Sequence, residues 1–229
     1  MEIKRKISKV NRTLLTNKIN EFIVIHYVGA VSTAKDNADY FYDVNRGASA
    51  HFFTDEIETW QIVETYNAAW HVGLDPKTIE RGKIKYATKC RNNNSIGIEM
   101  CCKKDSNGNW YFEEETVNNT IALVQELMER FNIPIENVIR HYDCWIPAKV
   151  CPEPFVRDEK KWLEFKERIA KGLNFKDGEE LEALDYLTKK LRITDKEYWL
   201  KALDVVHNQK WVIIKWANDV KKLENNGIA

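Results

Sequence analysis

FIVIHYVG, residues 22 to 29, is the stretch of the chain that decides the fold. It is apolar from its first residue to Val28, except for His26 and Tyr27 near its end. An apolar run without alternating polar residues is typical of a strand that is covered on both faces. The sequence therefore predicts a central strand of a buried sheet at this position.

The segments that follow predict more strands beside this one. SAHFFTD at 49–55 and ETWQIVE at 58–64 are two short β-like runs, and together they indicate a hairpin. SIGIEMCC at 95–102 predicts another strand, and residues 138–141 predict a short one. These runs are enough for a sheet of several strands.

Helical patterns alternate with the predicted strands. Apolar residues recur at helical spacing over 113–131, and Asn132 with Pro134 ends that pattern. We expect a shorter helix that begins after an N-cap at Ser32 and is ended by Gly47, and a closing helix over 158–171. The fold class predicted is α/β, with a mixed central β-sheet flanked by helices.

The character of the sequence changes after residue 172. Asp177-Gly178 resembles a hinge, and residues 178–229 contain only helical patterns, one of them opened by the capping box of Thr194 and Glu197. We therefore expect two domains, at 1–172 and 178–229. A helical module of about 50 residues is near the lower size limit for independent stability, so a role in wall binding or in homo-oligomerisation is expected for it.

Composition excludes several classes of protein. Lysine plus arginine equals aspartate plus glutamate at 35 each among 229 residues, so no global basic field favours nucleic acid or an anionic membrane as a partner. The first 20 residues have no apolar segment of the length that a secretion signal needs, and no stretch approaches a membrane span. Five cysteines without a disulfide-protein spacing favour free thiols in a reducing compartment. We expect the chain to be held in a cytoplasm.

Three separated fragments read together as one open zinc site. FIVIHYVG offers His26, IRHYDCW at 139–145 offers His141, and AKVCP at 148–152 offers Cys151. Zinc takes nitrogen and sulfur ligands, and a site with three protein ligands keeps a fourth position for water. His26 alone is better explained as a core histidine hydrogen-bonded to the backbone, but the three fragments together favour metal ligation. Cys144, three positions after His141, is a rival ligand.

The same fragments resemble the type 2 N-acetylmuramoyl-L-alanine amidases, the zinc amidases of phage endolysins, autolysins and peptidoglycan-recognition proteins. SAHFFTD, AAWHVG at 68–73 and SIGIEM at 95–100 add to the likeness, in the order in which the family has them. The resemblance covers residues from about 20 to 170. Lys149 and Pro152 flank Cys151 in the family manner, which favours Cys151 over Cys144 as the third ligand.

The resemblance also implies roles for residues beside the metal. Glu99 lies on the same strand face as Gly97, which leaves room for it, and in many members this glutamate shuttles protons. Lys149 is implied to stabilise the oxyanion, with a solvated surface lysine as the alternative. For Glu99 the alternative is a structural ion pair. Ala50 stands where some members carry an aromatic residue, so a catalytic tyrosine of that subgroup is absent.

Further residues border the substrate cleft in relatives. His51 and His71 are the candidates, although a paired structural histidine explains either nearly as well. Trp70 could stack on sugar or peptide, although tryptophan is more often a packing residue. We keep these three residues as candidate substrate contacts.

The function expected is zinc-dependent cleavage of peptidoglycan at the amide between N-acetylmuramic acid and L-alanine. A phage or prophage endolysin that waits in the bacterial cytoplasm and acts at the cell wall is the natural context. Two alternatives remain open: a non-catalytic peptidoglycan-binding protein on the same fold, and an interaction protein with a structural zinc. The structural zinc requires a fourth protein ligand, such as Cys144.

Overall fold

The structure is a computed structural model that describes residues 2–73, 86, 89–144, 150–172 and 186. The chain divides into two compact units, Met1–Ala170 and Lys171–Ala229. The second unit lies almost wholly outside the described residues, and so does the helical module predicted at 178–229. No helix of the described part is long and apolar enough to cross a membrane.

A six-stranded mixed sheet forms the centre of the first unit. Its strands are β1 (Ile3–Arg5), β2 (Phe22–Tyr27), β3 (Phe52–Thr54), β4 (Thr59–Gln61), β5 (Ser95–Met100) and β8 (Val138–Arg140), and they lie in the order β1-β4-β3-β5-β2-β8. Only β3 and β4 pair antiparallel, as the predicted hairpin, while β2 runs parallel to both of its neighbours. The first five residues of β2 are buried. The prediction of a central, doubly covered strand is therefore confirmed.

Two short strands and five helices complete the described part. β6 (Lys103–Lys104) and β7 (Trp110–Tyr111) form a separate antiparallel pair. The helices are α1 (Ala34–Tyr40), α2 (Glu114–Phe131), α3 (His141–Cys144), α4 (Glu153–Arg157) and α5 (Glu159–Gly172), with a 3-10 turn at Ile135–Asn137. The mixed α/β fold predicted from the sequence is the one observed.

The long helix α2 packs its apolar face on β3 and β5. Val117, Ile121, Val124 and Met128 lie on this buried face, at the helical spacing that predicted it. Asn132 ends the helix in the left-handed conformation, with φ at 57°, which asparagine tolerates better than most residues. Burial of this face, at about 25 cal/mol per Å² of apolar surface, holds the helix on the sheet.

Helix α1 differs from its prediction at both ends. Its N-cap is Thr33, because the Thr33 hydroxyl accepts from the Asp36 amide while the Asp36 carboxylate accepts from the Thr33 amide. This reciprocal pair satisfies two amides at the start of the helix, whereas the hydroxyl of Ser32 accepts from the Asn37 side chain. The helix also ends at Tyr40, well before Gly47, so Ser32 and Gly47 were wrong as its boundaries.

Candidate metal centre

The register of three neighbouring strands brings the first site residues together. In the parallel pairing of β2 with β5, His26 lies directly opposite Glu99. On the other side of β2, Ile25 pairs with Arg140, so His141 begins just past the end of β8, beside His26. Carboxyl ends of parallel strands meet at one edge of a sheet, where ligand sites commonly form. Side chains far apart in sequence therefore converge at this edge.

His26, His141 and Cys151 form the cluster with metal-ligand chemistry. One ligand atom from each lies within 4.8 Å of those of the other two, and all three side chains are buried. The Cys151 Sγ lies 3.8 Å from the His26 Nδ1. Tetrahedral zinc with ordinary bond lengths would place a nitrogen and a sulfur ligand roughly 3.5 Å apart. The donor set and its spacing therefore fit zinc.

The rival thiol points elsewhere. Cys144 is buried, and its Sγ donates to the backbone carbonyl oxygen of His141 at 3.3 Å. A hydrogen bond with Cys90 and burial raise the pKa of the Cys144 thiol far above its usual range. The Cys144 sulfur is also not among the ligand atoms that cluster with His26 and His141. The geometry therefore favours Cys151 over Cys144.

Glu99 stands beside the cluster. Its Oε1 lies 3.9 Å from the His26 Nδ1, and 20% of its side chain is exposed. A carboxylate in this position borders the metal cluster on one side and solvent on the other. A carboxylate between these two surroundings is placed to accept and donate protons.

Backbone hydrogen bonds and ion pairs connect the segments that contain His141 and Cys151. The Tyr142 amide donates to the Cys151 carbonyl oxygen at 2.7 Å. Arg140, which is buried, donates to the Asp143 carboxylate and to the Phe155 carbonyl oxygen, and it pairs with Glu159. These bonds join the residues around His141 to those that follow Cys151, so the two candidate ligands are fixed relative to each other.

His71 lies against the cluster. Its Nδ1 is 3.1 Å from the His26 Nε2, and its Nε2 is 3.2 Å from the Ser95 hydroxyl. Its ring covers Gly97, where an added Cβ would lie 2.6 Å from the His71 Cγ. Burial lowers the pKa of His71 well below its ordinary value, which favours the neutral ring. The structure thus gives His71 a hydrogen-bonding position next to a candidate ligand.

His51 is completely buried. Its Nδ1 accepts from the Gly97 amide at 3.0 Å, and its Nε2 lies 3.1 Å from the Asn67 carbonyl oxygen. A ring that is 0% exposed has no surface to offer a substrate. The structure therefore favours the alternative that the sequence left open, a structural histidine, over a substrate contact at this position.

Lys18 is a partly buried residue whose amine lies next to His51. Its Nζ donates to the carbonyl oxygens of Asn67 and Ser95 at 2.9 and 2.8 Å, and it lies 3.0 Å from the His51 Nε2. Since the His51 Nδ1 is an acceptor, the neutral ring carries its proton on Nε2. A neutral amine, with two N–H donors and one lone pair, matches these three neighbours. Burial lowers the pKa of Lys18 to about 7, in agreement with that count.

Of the remaining predicted residues, Trp70 is described and Lys149 is not. The Trp70 indole N–H donates to the Thr13 hydroxyl at 2.9 Å, and the residue is partly exposed. Its contact with substrate stays a prediction. Lys149 lies outside the described residues.

Comparison with known proteins agrees with this geometry. A family model described as N-acetylmuramoyl-L-alanine amidase matches residues 16–154. The chain belongs to this family. BlyA, an N-acetylmuramoyl-L-alanine amidase of Bacillus subtilis (strain 168), is 33% identical over 152 residues, which are 64% of this chain and 40% of BlyA. CwlA, a family amidase of a Bacillus species, is 30% identical over 173 residues, which are 74% of this chain and 62% of CwlA.

Solved amidase structures share the fold. PlyL is 25% identical, with a TM-score of 0.58 over 74% of this chain and 97% of PlyL. The catalytic domain of XlyA has a TM-score of 0.56 at 24% identity, over 74% of this chain and 99% of that domain. The chain spans less than half the length of the curated amidases that it matches first.

Two features of this amidase-family site were missed in the sequence. The sequence predicts Ser95 only as the start of a strand, although its hydroxyl contacts His71. It presents Arg140 only as part of IRHYDCW. The alternation of SIGIEM already places Ser95, Gly97 and Glu99 on one strand face, which was the available signal for Ser95. Nothing in the spacing predicted that Arg140 would reach Phe155 and Glu159.

Proposed function

We propose that the chain is a zinc-dependent peptidoglycan hydrolase that cleaves the amide between N-acetylmuramic acid and L-alanine of the stem peptide. The observation that carries the proposal is the convergence of His26, His141 and Cys151 within 4.8 Å at the carboxyl edge of the sheet. Membership of the amidase family supports the reaction class. The three candidate metal ligands, the Glu99 carboxylate beside them and the family membership all point to hydrolysis of an amide at a metal.

His26, His141 and Cys151 would hold the zinc with three protein ligands, which would leave a fourth position for water or substrate. When bound by three protein ligands, zinc lowers the pKa of a water molecule to about 7 and polarises a carbonyl oxygen. A closed structural site needs a fourth protein ligand, and the described candidate, Cys144, donates to a backbone carbonyl oxygen instead. This favours an open site over the structural-zinc alternative.

Glu99 is proposed as the group that moves protons. Its carboxylate takes the proton of the attacking water and delivers it to the leaving amine of L-alanine. Its position 3.9 Å from the His26 Nδ1 supports this role, and such a step contributes about 10² to 10⁴-fold to turnover. Lys149 is proposed to stabilise the developing oxyanion, from its place two residues before Cys151 in the sequence.

The biological context is part of the same proposal. The protein is an endolysin of phage or prophage type, held in the bacterial cytoplasm until release, with the cell wall as its target. The module at 178–229 is proposed to bind the wall or to self-associate. Nucleic acid and membrane are not proposed as partners, since the acidic and basic residues balance.

The test is incubation of the purified protein with soluble muropeptides, followed by mass spectrometry of the products. Release of the intact stem peptide from the muramyl group, abolished by a chelator and restored by zinc, is the result expected. Glu99→Gln should lose turnover and keep zinc, while Glu126→Gln, a surface glutamate on α2, serves as the matched control. Products cut at another bond would refute the bond assignment, and activity insensitive to zinc removal would refute the metal.

A further inference from the structure

A chain of hydrogen bonds leads from the loop before β5 to the candidate ligand His26. It runs from the Arg91 carbonyl oxygen through the Ser95 hydroxyl and the His71 ring to the His26 Nε2. Every side chain in it is buried, with Ser95 at 0%, His71 at 8% and His26 at 2% exposure. The polarity of each bond can be worked out from the first one.

The Ser95 hydroxyl has a single proton, and it donates that proton to the Arg91 carbonyl oxygen. At its 3.2 Å contact with the His71 Nε2, the hydroxyl oxygen must therefore accept. The proton of His71 is thus on Nε2. Burial disfavours a charged ring, so the Nδ1 of His71 carries a lone pair.

The lone pair on the His71 Nδ1 determines the tautomer of His26. The His71 Nδ1 lies 3.1 Å from the His26 Nε2, so the His26 Nε2 must be the donor. A neutral His26 with its proton on Nε2 has its lone pair on Nδ1. The Nδ1 is the atom that faces the Cys151 Sγ at 3.8 Å and the Glu99 carboxylate at 3.9 Å.

We propose that Ser95 and His71 are positioning residues, which set the tautomer of His26 so that its Nδ1 is presented to the metal. The second ring nitrogen of a metal-bound histidine is usually held by a carboxylate, a carbonyl or water. Here another imidazole does so, and it is itself oriented by a serine. The inference rests on the proposed metal function of the cluster.

The surroundings of His71 fit a positioning role. The Asn92 side chain accepts from the backbone amides of His71 and Val72 at 3.1 and 2.7 Å. The ring lies directly over Gly97, where no side chain intervenes. The ring is therefore held at its backbone, at its face and at both nitrogens.

The experiment begins with the unmodified full chain, loaded with zinc and labelled with nitrogen-15 in histidine. Ring nitrogen spectra should show His26 protonated at Nε2 and metal-bound at Nδ1, with a scalar coupling to the His71 Nδ1 across the hydrogen bond. His71 should be protonated at Nε2. A spectrum with His26 bound to zinc through Nε2 would overturn the proposal without any variant.

Ser95→Ala then tests the start of the chain of bonds. Zinc affinity, measured by competition with a chromophoric chelator, should fall about 10 to 100-fold, and the His71 ring should show mixed tautomers. Ser8→Ala is the matched control, because Ser8 is equally buried and its hydroxyl accepts only from the nearby amides of Val10 and Asn11 among the contacts found. Its zinc affinity should equal that of the unmodified chain.

The outcomes separate the two levels of the proposal. If the unmodified chain binds zinc through His26 Nδ1 but Ser95→Ala changes neither affinity nor the His71 tautomer, the positioning role is wrong while the metal function stands. If the unmodified chain binds no zinc, the metal function and the positioning role both fail.

Discussion

Gly97→Ala should reverse the sign of its effect on stability according to what occupies position 71. The added Cβ would lie 2.6, 2.7 and 2.9 Å from three atoms of the His71 ring. Ordinary contact begins near 3.4 Å, so the ring would have to move by roughly 0.5 to 1 Å. The ring is held at both nitrogens, and a forced shift of this kind costs about 1–3 kcal/mol.

The same substitution should be harmless once the ring is removed. In a His71→Ala background the clash disappears, and alanine in a strand is favoured over glycine by about 0.5–1 kcal/mol. The preference for alanine acts in both backgrounds and cancels in the cycle, so the coupling energy between the two positions should be about 1–3 kcal/mol, the cost of the forced shift.

The assay is urea unfolding of the metal-free full chain for the parent, both single variants and the double variant. Changes in the midpoint at constant slope report stability. A second readout is zinc affinity, which should fall in Gly97→Ala because the displaced ring no longer meets the His26 Nε2. If Gly97→Ala is equally destabilising in both backgrounds, the close packing of His71 on Gly97 is not the cause, and the reasoning is refuted.

The other predictions concern the candidate metal ligands, Glu99 and Lys18. His26→Ala and Cys151→Ala should each abolish binding of one zinc, measured by metal analysis, whereas Cys144→Ala should retain it; the opposite pattern for the two cysteines would overturn the ligand assignment. Glu99→Gln should lower kcat on muropeptides by about 10² to 10⁴-fold with zinc retained, and near-normal turnover would make Glu99 structural. Burial lowers the pKa of Lys18 from its ordinary 10.5 to about 7, so as the pH rises from 7 to about 8.5 the folded chain loses a proton that the unfolded chain keeps. The free energy of unfolding should therefore rise with pH in that window, with a slope that approaches about 1.4 kcal/mol per pH unit about one unit above the folded-state pKa. Lys18→Met should remove this rise in urea titrations at several pH values, and an identical slope in the variant would show that Lys18 is charged when folded.

Local sequence patterns were sufficient to predict the strands of the sheet and the long helix α2. The apolar run that became β2 and the helical spacing of α2 record burial directly, because each side chain reports the face on which it lies. The same reasoning placed Glu99 and Gly97 on one strand face. The convergence of His26, His141 and Cys151 was predicted by the family resemblance and not by periodicity, since it depends on how distant strands pair.

Contacts between distant segments were the part that sequence could not supply. The bond from Ser95 to His71 joins residues 24 positions apart, and that from His71 to His26 spans 45. Neither leaves a trace in local periodicity, because each depends on the orientation of a side chain in the folded state. The prediction of Ser32 as the N-cap of α1 was wrong for a different reason. Ser32 and Thr33 are adjacent hydroxyl residues, and either type can begin a helix.

The contacts around Arg140 bear on how this family can vary. The Tyr142 amide bonds to the Cys151 carbonyl oxygen, and Arg140 reaches Phe155. Both bonds join the chain before residue 145 to the chain after residue 149, so they hold the spacing of the two candidate ligands without residues 145–149. The entropy of closing a loop grows only slowly with its length. Changes in the sequence or number of residues at 145–148 should therefore leave the spacing of His141 and Cys151 unchanged.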